Sequence, residues 1–125
     1  MDIGKLRKNN SFYVGYEDEP GIALSLVDLP EMQVQLWEGY LEDILETADI
    51  SEEELLGFTK EYQECAGIFG EEESELIDAD TYLKDLMKYD GNGFQYEETS
   101  ECLNLLEEFL AYARENKSRI CCQRL

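Results

Sequence analysis

A chain of 125 residues with 43% apolar content is about one domain's worth of material, long enough to bury a core and too apolar for wholesale disorder. Thirty acids against ten bases give a net charge of −20 and a pI near 4.1, which argues against a conventional nucleic-acid binder and against docking on an anionic membrane. No apolar run approaches the ~18–20 residues needed to cross a bilayer.

Charge divides the chain. Residues 1–10 read as a basic N-terminal arm, with Lys5, Arg7 and Lys8 against Asp2. No apolar stretch follows them, which predicts no signal peptide and a cytoplasmic location. Residues 11–116 read as a single acidic, mostly helical domain, and residues 117–125 as a basic C-terminal tail. Between 11 and 110 there are 28 acids but only Lys60, Lys84 and Lys88 as bases.

In chain order, Ser11-Phe12-Tyr13-Val14-Gly15-Tyr16 predicts a short strand, closed by turn formers through Pro20-Gly21. Residues 22–27 read either as the return strand of a small hairpin or as a buried helical turn. Asp28, with Pro30 behind it, is placed to cap a helix. Leu36, Trp37, Tyr40, Leu41, Ile44, Leu45 and Ala48 then recur at helical spacing, which predicts a helix near 30–47. Glu38, Glu42, Asp43 and Glu46 take its polar side. Ser51 and Glu54 form a capping box, flanked by Ile50 and Leu55, for a helix over 52–69 that Gly70 ends. Two further helices are expected near 80–89 and 100–115. The fold expected is mainly α, a bundle of about four helices with the option of a small N-terminal β-hairpin. Its core includes Trp37, Leu41, Ile44, Leu55, Tyr62, Phe69, Leu86, Leu106 and Phe109.

Several motifs resemble chemistry without completing it. Asp90-Gly91-Asn92-Gly93 reads like the middle of an EF-hand loop, but the register puts Lys88 at the first ligand position and Thr99 at the twelfth. Cys122-Gln123-Arg124-Leu125 has the outline of a prenylation box without its aliphatic residues, so a frayed tail is the better reading. Cys65, Cys102, Cys121 and Cys122 form no C-x-x-C pair, and the chain has no His. The commonest general base is therefore missing, and no phosphate loop or nucleophile elbow is present. The chain reads as a binding protein and not an enzyme, with no cofactor, no metal and no small-molecule substrate.

The charge itself points to a partner. Solubility needs a net charge of only ~2–8 in magnitude, and the excess costs stability through self-repulsion. A basic partner is the simplest reason for it. A small, acidic, cofactor-free domain with tyrosines set among carboxylates resembles the bacterial immunity proteins made against secreted toxins, most closely those of contact-dependent growth inhibition. The resemblance is of type and spans the acidic body of the chain. It implies one-to-one binding of a basic nuclease toxin domain, with acids occupying the site meant for nucleic-acid phosphate. The alternative is an acidic mimic or chaperone-like binder of another basic protein. The toxin-facing region is expected within residues 71–98: Glu71, Glu72, Glu73, Glu75, Asp78, Asp80, Asp85, Asp90, Glu97 and Glu98, with Phe94 and Tyr96 as aromatic anchors.

Overall fold

The computed structural model describes residues 3–47, 58, 74–89 and 93–124, which form three α-helices packed on a five-stranded mixed sheet. The strands are β1 (Asn9–Phe12), β2 (Gly21–Leu26), β3 (Gln33–Trp37), β4 (Ser74–Ile77) and β5 (Ile120–Arg124). The helices are α1 (Glu38–Leu45), α2 (Ala79–Met87) and α3 (Thr99–Glu115). Strand order is β1-β3-β2-β5-β4, parallel at β1/β3 and antiparallel elsewhere. The fold is α/β, which corrects the mainly α, four-helix bundle expected from the sequence.

The correction has local causes. Residues 33–37 alternate, with Val34 and Leu36 buried and Gln33, Gln35 and Trp37 half-buried, the period of a strand covered on one face. Helical spacing takes over only at Glu38, so the expected helix over 30–47 is a strand followed by a two-turn helix. Pro30 starts no helix. It sits second in a β-turn in which the Met32 amide donates to the Leu29 carbonyl at 2.9 Å, and this turn joins β2 to β3. The expected hairpin is also corrected: β2 pairs with β3, while β1 runs parallel to β3 at the sheet edge. Tyr13, Val14 and Gly15 form a turn, with Gly15 at φ +94° where a side chain would be strained.

The C-terminal segment is no frayed tail. β5 lies between β2 and β4, and its Ile120 and Cys122 are fully buried. Ile22, Leu24, Leu26, Val34 and Leu36 share their sheet face, α1 and α3 close over it, and α2 packs on α3. Leu41, Ile44, Leu86, Leu106 and Phe109 are buried as expected, while Trp37 is half-buried. Leu55, Tyr62 and Phe69 lie outside the described residues, as does the expected helix over 52–69 apart from Phe58. That ring is buried and meets Tyr82 edge-on at 4.7 Å. Among the described residues, no helix is long and apolar enough to cross a membrane.

Candidate functional site

The junction between β3 and α1 builds a cleft. Trp37 ends the strand, and the helix follows without a side-chain cap. Its indole lies across the first turn of α1, where a Cβ on Gly39 would overlap three atoms of the ring. Glycine in a helix costs about 1 kcal/mol relative to alanine. Here it gives the indole its place. Trp37 stacks on Tyr16 at 4.3 Å and 7°, and meets Tyr40 edge-on at 5.3 Å. Tyr96, from the segment entering α3, tilts toward it at 5.5 Å and 59°. Tyr40 is buried beneath these rings, and burial together with the Tyr16 hydroxyl pushes its phenol well above the ordinary range.

Asp43 holds the Tyr96 side of the cleft in place. One carboxylate oxygen accepts from the Gln95 amide at 2.9 Å. The other accepts from the Tyr96 amide at 3.0 Å and the Thr99 hydroxyl at 2.6 Å. Burial alone would raise this carboxyl, but the Thr99 hydroxyl and the two amides outweigh it and hold the group below its ordinary range. It stays ionised at neutral pH.

Between the rings and α1 a cavity of about 110 Å³ remains, lined by Trp37, Gly39, Glu42, Asp43, Glu46, Gln95 and Tyr96. Glu38, Glu42 and Glu46 stand four residues apart along α1. Burial, then the Glu38 and Glu46 charges, raise the Glu42 carboxyl above its ordinary value. Among the described residues, no Lys or Arg lines the cavity. Two of the bases in the acidic body are engaged elsewhere: Lys84 pairs with Asp80 at 3.0 Å and Lys88 with Asp85 at 3.2 Å. Field at the cleft therefore goes uncompensated by its own lining. A larger groove of about 530 Å³ separates β1 from α3, where Glu101, Asn104, Leu105 and Glu108 face Asn9 and Phe12.

The described acids of residues 71–98 take separate local roles. Asp78 caps α2, accepting from the Thr81 amide at 3.3 Å and its hydroxyl at 2.6 Å. Asp80 is held below its ordinary range by Lys84 first and then by Arg114. Asp85 is buried beside Lys88, and Phe94 is half-buried against the core. Glu75 lies in the edge strand β4. Glu71, Glu72, Glu73 and Asp90 lie outside the described residues, as do Gly91 and Asn92 of the EF-hand lookalike. Thr99, twelfth in that register, donates its hydroxyl to Asp43 instead. Tyr96, Glu97 and Glu98 are exposed at the start of α3, and Tyr96 walls the cleft.

Sequence reasoning missed Glu42 and Glu46 as partners of Tyr96. The available signals were the four-residue spacing of the acids and a lone Trp two residues before a helical glycine. Comparison of the chain with protein-family models, curated proteins and solved structures finds no match.

Proposed function

We propose that this protein is an immunity or inhibitor protein that binds a basic nuclease toxin domain one-to-one in the cytoplasm. It presents carboxylates to the surface that would otherwise take nucleic-acid phosphate. The observation that carries the reading is an acidic, aromatic cleft with no base among the described residues of its lining, set in a chain of net charge −20. Carboxylates around rigid rings suit a basic protein surface: the charge speeds encounter, and the rings supply contact area at little entropic cost. No catalytic constellation is needed for this role.

Growth rescue tests it. Expressing the reading frame that neighbours this chain's gene should kill cells, and co-expressing the chain should rescue them. Reversing Glu46, Glu97 and Glu98 to Lys together, all exposed, should slow association about tenfold or more at low salt. The melting temperature should stay unchanged or rise. A neighbouring reading frame that is harmless, or toxicity that persists despite the chain, ends the proposal.

A further inference from the structure

We propose that the cleft walled by Trp37 and Tyr96 on one side and the acids of α1 on the other is a socket for one arginine side chain of a protein partner. This deepens the inhibitor reading, on which it rests for the partner being a basic protein, by naming the group that enters this site. The two rings touch, 5.5 Å between centroids and 59° from parallel, and together they wall one side of a cavity whose other side is α1. Its 110 Å³ is the room of about four waters, enough for a guanidinium carbon and its three nitrogens. Drug-sized ligands need ~300–1,000 Å³.

The lining selects the occupant. An aromatic face attracts a cation, and a guanidinium offers a flat face to a ring while its edge donates to carboxylates. Glu42 and Glu46, four residues apart at the C-terminal end of α1, supply those carboxylates, while Asp43 is committed to its three donors. An apolar occupant would press hydrocarbon against three acids, and an anion would be repelled. Divalent metals need convergent oxygens, and among the described residues no group of three acids or thiols is arranged to hold one. A lysine would satisfy the charge but not the flat, edge-donating geometry. Crowding of Glu42 by Glu38 and Glu46 is a repulsion that an entering cation relieves.

Trp37 is the only tryptophan in the chain, so its emission reports directly on the socket. The full chain is titrated at low salt with Nα-acetyl-arginine amide and with its neutral isostere, Nα-acetyl-citrulline amide. Nα-acetyl-lysine amide, free L-arginine and agmatine complete the series. Saturable change is expected with the arginine amide, at least tenfold weaker with citrulline and about threefold weaker with lysine. E42Q/E46Q should weaken arginine binding at least fivefold. The double variant E31Q/E115Q removes the same charge at exposed positions outside the lining and should bind as the parent does. Four results overturn the socket: no saturable change, an equal response to citrulline, equal losses in both double variants, or free arginine or agmatine binding tenfold tighter than the amide. The last would mark a metabolite site. No toxin enters this titration, so its failure removes the socket and leaves growth rescue to decide the inhibitor reading.

Discussion

The Asp43 carboxylate joins two elements that lie 52 to 56 residues apart in the chain, and it does so through charge-assisted hydrogen bonds. Asn at this position would keep its oxygen toward Tyr96 and Thr99 but turn its NH2 against the Gln95 amide, leaving two donors face to face and the remaining bonds without charge assistance. D43N should therefore cost on the order of 3 kcal/mol, measured by urea denaturation. Trp37 emission should shift red in the same variant as Tyr96 loses its anchor. A cost below about 0.5 kcal/mol would mean the three contacts are replaced by water. The sequence assigns Asp43 to the polar side of its helix, because an acid flanked by Glu42 and Glu46 looks like more of the same. Nothing local distinguishes it. Its burial depends on Thr99 and on two backbone amides that only the tertiary fold delivers.

Elements differ in how much of themselves they carry locally. α2 and α3 fall close to their expected ranges, since both carry an apolar stripe at helical spacing. α3 also ends in a way the sequence disguises. The Ser118 amide donates to the Ala113 carbonyl at 3.0 Å, and the Lys117 amide to the Arg114 carbonyl at 3.1 Å, the paired bonds of a Schellman stop. Lys117 takes φ +53° at the position that glycine usually holds. A non-glycine residue in this region is strained by about 1 kcal/mol, so K117G should stabilise the protein by roughly that amount. The readout is a higher urea midpoint at an unchanged denaturant slope. An unchanged or lower midpoint would mean that glycine's extra freedom in the unfolded chain cancels the relief.

Charge acts on the molecule as a whole. With 28 acids against three bases between residues 11 and 110, like charges disfavour ionisation in the folded state. Glu42 is raised first by burial and then by the neighbouring Glu38 and Glu46 charges. Its raised folded pKa means the native state binds a proton more readily than the unfolded chain, so stability grows as pH falls through that raised value toward the ordinary 4.5. Asp43 works in the opposite sense. Its lowered folded pKa gives stability that is fully present above the ordinary 3.8 and is lost as pH falls through the lowered value. The melting temperature should therefore rise from pH 7 toward about 5 and fall below about 4. Sodium chloride at neutral pH should raise it by screening. A melting temperature that is flat or falls with added salt would show that self-repulsion is not a significant cost.

Composition and local pattern alone were enough for the acidic character of the protein, the helices at 79–87 and 99–115, and five of its core residues. Each rests on charge count or 3.6-residue periodicity, which act within a few turns of chain. The sheet was a different matter. β3 and β5 are five residues each, too short for periodicity to separate strand from helix or tail, and Arg119 and Arg124 made β5 look like a solvated end. Those segments are strands because β2, buried at the centre, must satisfy its backbone N–H and C=O groups on both sides. The cleft shares that origin. Glu42 and Tyr96 are more than fifty residues apart, and only the packing of α1 beside the start of α3, secured by Asp43, places a ring opposite a row of acids.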